Sequence, residues 1–278
     1  MKVVRTIADC RRERSTLGTT ALVPTMGALH AGHVSLIEEA KRQAPRVVVS
    51  IFVNPTQFGP KEDFNKYPRP IEADLEKCER AGVDLVFNPS PDEMYPASAP
   101  DMLVDVPQMS TVLDGKHRPG HFKGVCQVVA KLFNIVQPQF ACFGRKDFQQ
   151  LKVIEAMVRG LDFPIEIIGC RTLRDTDGMA MSSRNAYLSP EDRQRGLSIS
   201  RALQTAGDEV KSGIRQTNRL MTTMQKILLE QHLLIDYVAA VDATTLRPVD
   251  MVNGETALLI AARVGPTRLI DNMIVQPD

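Results

Sequence analysis

Two apolar periodicities alternate along most of this chain. Thr20–Val23 is a short apolar run. After a break at Pro24 and Gly27, Val34, Leu36, Ile37 and Ala40 recur at three-to-four spacing, which predicts a helix over about 34–43. Arg46–Asn54 is a continuous run rich in β-branched residues, the pattern of a parallel strand buried on both faces. Ile71–Ala81 then predicts a helix ended by Gly82, and Val83–Phe87 a strand. Val125, Val128, Val129, Leu132, Phe133 and Val136 give Phe122–Val136 a helical stripe. Gln139–Phe143 reads as a strand, Leu151–Arg159 as a helix and Ile165–Gly169 as a strand. Residues 1–17 read as a charged, helical opening, Glu62–Pro70 as a loop, and 88–120, rich in Pro and Met, as a long excursion. Five strand candidates alternating with helices predict an α/β fold over 1–175, a Rossmann-like doubly wound parallel sheet.

The pattern then changes. Arg174–Asn185 has little apolar periodicity and reads as a polar linker or as a mobile anion clamp. Ser189, Pro190, Glu191 and Asp192 form a helix start with a hydroxyl cap, Pro at the first position and acids in the first turn. Two helices to about 232 precede strands at Asp236–Val241, Ala257–Val264 and Leu269–Val275, with Asp271-Asn272 as a turn candidate. A second, smaller α+β domain over 176–278 is expected.

Composition narrows the partners. The 34 basic and 33 acidic residues leave a net charge of +1, so there is no electrostatic footprint for nucleic acid or an anionic membrane. No apolar run approaches the roughly 18–20 residues of a membrane span, and the N-terminus lacks the apolar core of a secretory signal. A cytoplasmic protein is expected. The five cysteines are scattered, with no C-x-x-C and no zinc-like spacing, and read as reduced core residues.

Candidate chemistry gathers at two strand–glycine–helix junctions. The first is Met26-Gly27-Ala28-Leu29-His30-Ala31-Gly32-His33. A helix start after such a turn offers free backbone N–H groups and the positive end of a dipole, a site for phosphate. His30 and His33, three apart, face the same way there. Asn54 and Gln57 follow the next strand, where ligands gather in open parallel sheets. The second junction, Gly144-Arg145-Lys146-Asp147 with Gln150 a helical turn on, repeats the logic with a lysine for phosphate charge. His117 and His121 fall in a polar tract that reads as a solvated loop.

The H-x-G-H string resembles the signature of the nucleotidyl-transferring α/β superfamily. Together with S-I-F-V-N-P-x-Q-F, K-D-x-Q-Q-L and M-S-S-R-N, in this order over about residues 20–190, it closely resembles the pantoate–β-alanine ligase family. The resemblance implies ATP-dependent joining of (R)-pantoate to β-alanine through a pantoyl adenylate, with Mg2+, in a homodimer, and with the C-terminal domain as a lid. It implies phosphate contacts from His30, His33 and Lys146, with His33 as proton donor. It also implies pantoate contacts from Gln57 and Gln150, an apolar wall from Met26, and Asn54 beside them. Gly144, Lys146 and Asp147 match the ATP segment, Leu173 a position at the adenine, and Met181, Ser182, Ser183 and Arg184 the triphosphate loop. Arg145 departs from the family, which usually has Glu there; the reversal raises the positive potential beside Lys146, and either strengthens triphosphate binding or disturbs a family salt bridge. Glu72 and Asp74 are candidates for magnesium, weighed against solvated acids on a helix face. The rival readings are a sister adenylyltransferase of the superfamily, or a catalytically silent nucleotide-binding module.

Overall fold

In the computed structural model, which describes residues 1–60 and 62–277, a six-stranded sheet is built from β1 (Lys2–Val4), β2 (Thr20–Thr25), β3 (Arg46–Ile51), β4 (Leu85–Phe87), β5 (Phe140–Gly144) and β6 (Glu166–Cys170). Its order is β1-β4-β3-β2-β5-β6, and every pairing is parallel. The valines of β3, Val47, Val48 and Val49, are all buried, so both faces of the sheet are covered, as a run of β-branched residues requires. Helices α1 (Ile7–Arg14), α2 (Ala31–Gln43) and α3 (Ile71–Arg80) follow the first strands. Leu29, Ile37 and Ala40 pack with Val47, Val49, Cys78 and Val86 in one core.

From β2 the chain winds outward through β3 and β4, then returns to lay β5 on the other side of β2, where Ala21 faces Phe140 and Leu22 faces Ala141. The order reverses between β2 and β5. At such a switch point the loops beyond the strands diverge and leave a crevice. The residues leaving β2 there are Met26–His30.

Two stretches of this unit depart from the sequence reading. The charged opening holds an edge strand, β1, before α1; its Lys2–Val4 pair with Leu85–Phe87. The excursion at 88–120 is not structureless, for it contains the single-turn helices α4 (Pro91–Met94), α5 (Pro107–Ser110) and α6 (Asp114–His117). Pro at the first position of α4 and α5 starts each turn without needing an N–H partner. Helix α7 then begins at His121 and runs to Val136, and α8 spans Phe148–Gly160.

The chain divides into two compact units, residues 1–145 with 153–171, and residues 146–152 with 172–278. The second contains α9 (Pro190–Lys211), α10 (Thr217–Glu230) and an antiparallel sheet of β7 (Leu234–Asp242), β8 (Thr256–Val264) and β9 (Thr267–Val275). Ser189 caps α9, accepting from the Asp192 N–H at 3.1 Å. Leu203, Leu220, Met224, Leu228, Leu258 and Ile260 form its core. Asp271-Asn272 is not a turn. Strand β9 runs straight through it in register with Leu259 and Ile260. The pair is polar because Asp271 takes a two-pronged ion pair from Arg174 at 2.6 and 3.0 Å, and Asn272 Nδ2 donates to the Lys146 carbonyl at 2.9 Å.

Candidate active site

In the first unit, the chain leaves β2 through two consecutive left-handed residues, Gly27 at φ +82° and Ala28 at φ +50°. A Cβ on Gly27 would stand 3.0 Å from Asp74 Oδ2 and 3.1 Å from Ile51, so only glycine turns here without displacing a neighbour. The reason for the crowding is Asp74 itself. One oxygen accepts the Ala28 N–H and the other the Leu29 N–H, both at 2.7 Å, and the carboxylate is about 1% exposed. Asp74 is therefore no solvated acid. Both its oxygens are committed to holding the histidine loop, while Glu72 is the exposed member of that pair.

Helix α2 starts three residues earlier than its apolar stripe, because the two histidines make its cap. His30 is the N-cap, and its Nδ1 accepts the Gly32 N–H at 3.1 Å. His33 Nδ1 reaches back to accept the His30 N–H at 3.3 Å. This is a capping box with imidazoles in place of the usual Ser and Glu. The rings lie 4.2 Å apart, centroid to centroid. A neutral imidazole that accepts at Nδ1 carries its proton on Nε2, so each ring keeps an Nε2–H donor at the positive end of α2.

The amide residues assemble in the same unit. Pro55–Gln57 is a single 3-10 turn after β3, capped by Asn54, and both Asn54 and Gln57 are buried. Asn54 Nδ2 donates to Gln57 Oε1 and to the Gly124 carbonyl, each at 3.1 Å. Asn54 Oδ1 accepts from Tyr95 Oη at 2.8 Å and from Thr56 Oγ1 at 3.0 Å. Gln57 Nε2 lies 3.1 Å from Met26 Sδ, so Met26 and the two amides form one cluster. Behind it stands His121. It is not a solvated loop residue; it is buried, opens α7, and donates from Nδ1 to the Gln57 carbonyl at 2.8 Å. Burial foremost, with Arg118 beside it, pushes its pKa down to about 4. The roles of Asp74 and His121, which the sequence presented only as a magnesium candidate or solvated acid and as a solvated loop residue, and those of Arg118 and Tyr95 escaped the sequence reading because their partners at Ala28, Gln57, Glu62 and Asn54 lie far away in the chain.

At the second junction, Gly144 closes β5, and a Cβ there would meet no atom within 4 Å. Arg145 donates from Nε to the Gly169 carbonyl at 2.9 Å. In the second unit, Lys146 pairs with Asp147 at 3.5 Å. A pocket lined by Lys146, Ser182, Asn185, Ser200 and Asp271, among others, lies in this unit. The Arg174–Asn185 segment is built rather than loose: the Met181 N–H donates to the Leu173 carbonyl at 3.0 Å, and Ser182 caps a 3-10 turn over Ser183–Tyr187. Gln150 is half-buried near the start of α8. All five cysteines are free and buried, and burial pushes Cys10 and Cys126 up to about 12. Among the described residues, no group of three His, Cys, Asp or Glu is placed to hold a metal ion, and no helix is long and apolar enough to cross a membrane.

A doubly wound parallel sheet whose helix α2 opens on an H-x-G-H capping box at the switch point defines an α/β protein with a ligand crevice beyond its strand ends. The family profile described as Pantoate-beta-alanine ligase matches residues 2–274, and the chain belongs to that family. It is similar to the pantothenate synthetase of Moorella thermoacetica, 50% identical over 283 residues covering 99% of both chains. It is also similar to that of Clostridium novyi, 49% identical over 98% of this chain and 95% of its relative. The crystal structure of pantothenate synthetase from Thermus thermophilus superposes with a TM-score of 0.95 at 43% identity, covering 100% of both chains. A pantoate-beta-alanine ligase from Francisella tularensis, solved in complex with beta-gamma ATP and beta-alanine, gives 0.82 at 32% identity, over 99% of this chain and 97% of the other.

Proposed function

We propose that this chain condenses (R)-pantoate with β-alanine at the expense of ATP. The pantoate carboxylate attacks the α-phosphorus and expels pyrophosphate; the β-alanine amine then attacks the acyl carbon of the pantoyl adenylate and expels AMP. Family membership over residues 2–274 carries this reading, and the Francisella relative, solved with an ATP species and β-alanine, supports its substrates. No activated Ser or Cys is required, because pantoate brings its own nucleophile. The protein's contribution is position and charge.

The assigned roles follow the chemistry of each group. His30 and His33 offer Nε2–H donors to the phosphates, and His33 meets the charge growing on the departing pyrophosphate. Asn54, Gln57 and Gln150 suit the hydroxyls and carboxylate of pantoate because amides both donate and accept, and Met26 provides an apolar wall for its dimethyl group. Gly144, Arg145, Lys146 and Asp147 serve ATP, with Leu173 at the adenine and Met181, Ser182, Ser183 and Arg184 at the triphosphate. We assign nucleotide and pantoate binding to residues 1–175 and the lid role to 176–278. Magnesium enters as a partner of the nucleotide's own phosphates, a common way for this ion to bind; the committed oxygens of Asp74 speak against a ligand there. Five reduced, buried cysteines favour the cytoplasm, and the family resemblance favours a homodimer, which light scattering measures.

Pyrophosphate release from Mg-ATP and (R)-pantoate, with and without β-alanine, tests the reading. A single-turnover burst that becomes steady turnover on adding β-alanine is expected. Folded protein that binds ATP and releases no pyrophosphate under either condition would overturn it. In the same assay, His33→Ala should slow the burst far more than the amine step.

A further inference from the structure

We infer that His121, buried at the start of α7, is a positioning residue for substrate recognition: it holds the Asn54–Gln57 turn from behind through the Gln57 carbonyl. This rests on the reading of Asn54 and Gln57 as pantoate ligands.

Neither amide can place itself. A 3-10 turn of three residues has one hydrogen bond of its own, Phe58 N–H to the Pro55 carbonyl at 3.3 Å, and such turns are weak in isolation. Tyr95 Oη steadies the Asn54 end at 2.8 Å, and the first turn of α7 holds both ends. His121 Nδ1 donates to the Gln57 carbonyl at 2.8 Å, and the Gly124 carbonyl accepts from Asn54 Nδ2 at 3.1 Å. The two elements touch so closely that a Cβ on Gly124 would fall 2.3 Å from the Thr56 carbonyl oxygen. The turn is thus gripped at both ends by one rigid helix.

The grip depends on which ring nitrogen of His121 carries the proton. Arg118 Nη1 stands 2.9 Å from Nε2. A guanidinium only donates, so Nε2 accepts and the proton sits on Nδ1, facing the Gln57 carbonyl. Arg118 is itself held by Glu62, whose two oxygens take Nε at 2.7 Å and Nη2 at 2.6 Å. The chain Glu62–Arg118–His121–Gln57 therefore hands one orientation from an ion pair to the substrate-binding turn. The guanidinium at Nε2 and the positive end of α7 both oppose a second proton on the ring.

Two amide substitutions read the Nδ1 donor while preserving bulk and polarity. The His121→Asn amide falls near the site of Nδ1, and the His121→Gln amide near Nε2. His121→Asn should keep the KM for pantoate within about threefold of wild type, whereas His121→Gln should raise it roughly tenfold, the worth of one buried hydrogen bond. The KM values for ATP and β-alanine should move in neither. Equal effects of the two variants, or an effect on ATP instead, would overturn the proposal. Gln57→Ala is the reference. If it leaves the pantoate KM unchanged, the pantoate reading of Gln57 fails and takes the proposal with it; if it raises that KM while His121→Gln does not, the positioning role alone fails. A measurement on the wild-type enzyme is independent of how variants fold. Nitrogen NMR of histidine-labelled protein should show one neutral imidazole protonated at Nδ1, and an Nε2-protonated ring at position 121 would refute the argument.

Discussion

Replacing Asp74 with Ala should loosen the loop that begins at Met26 and destabilise the first unit. The substitution removes two charge-assisted hydrogen bonds of 2.7 Å and leaves the Ala28 and Leu29 N–H groups unpaired beside Ile51. Each unsatisfied buried N–H costs about 1–3 kcal/mol. The left-handed conformation of Ala28, φ +50°, is strained in the wild type too, and letting it relax in the variant recovers up to about 1 kcal/mol. Water entering the vacated space recovers a further part of the cost, so a net loss of about 2–4 kcal/mol is expected. Asp74→Asn keeps one acceptor and should lose about half as much. Lys77 lies 3.9 Å from Asp74 with its side chain 38% exposed, so Lys77→Ala should change stability by less than about 0.5 kcal/mol. The assay is urea unfolding followed by circular dichroism, with pyrophosphate release measured alongside. A lower midpoint at unchanged slope reports the effect. An Asp74→Ala protein with the wild-type midpoint would refute the reasoning, and activity restored by raised magnesium would make Asp74 a metal ligand instead.

Gly124→Ala should be among the most damaging one-methyl changes in the chain, because its Cβ would meet the Thr56 carbonyl at 2.3 Å; the KM for pantoate should rise at least tenfold, and a crystal structure with the turn undisplaced would contradict this. Stability should also fall on mild acidification. The pKa of His121 is about 4 in the fold against an ordinary 6.5, so its contribution is complete above pH 6.5 and is lost as pH falls toward 4, about 2 kcal/mol by pH 5. Glu62, although burial pushes it upward, is held low by Arg118 and adds a loss of the same sign at lower pH. His121→Asn should flatten the upper part of that profile in urea melts, and an unchanged profile would remove His121 as its cause. Native protein should show no thiol reactive to Ellman's reagent within minutes and five after denaturation, since all five are buried; a fast native thiol would contradict the packing.

What the sequence displayed and what it concealed divide by distance along the chain. The parallel strands were legible because burial on both faces writes itself into consecutive residues, as in Val47–Val49. The cap of α9 was legible because Ser189 and Asp192 are neighbours. Strand β1 was hidden, being three residues long and stabilised by a partner more than eighty positions on. Asp271-Asn272 looked like a turn because the reasons for two polar residues in a strand, Arg174 and Lys146, are 97 and 126 residues away. The candidate site behaved likewise. His30 and His33 announce themselves by their spacing. Asp74 and His121 do not, since their partners at Ala28 and Gln57 are 46 and 64 residues off. Local pattern carries no trace of such contacts.

The imidazole capping box at the head of α2 limits how protons travel there. Each ring has surrendered Nδ1 to a backbone N–H, His30 to Gly32 and His33 to His30. A histidine wired in this way cannot work as a through-ring relay, taking a proton at one nitrogen and passing it from the other. It lends a hydrogen bond at Nε2 and keeps the proton, because releasing it while Nδ1 accepts a backbone N–H would leave an imidazolate. The helix cap thus fixes the direction in which each ring can donate and holds its protonation constant.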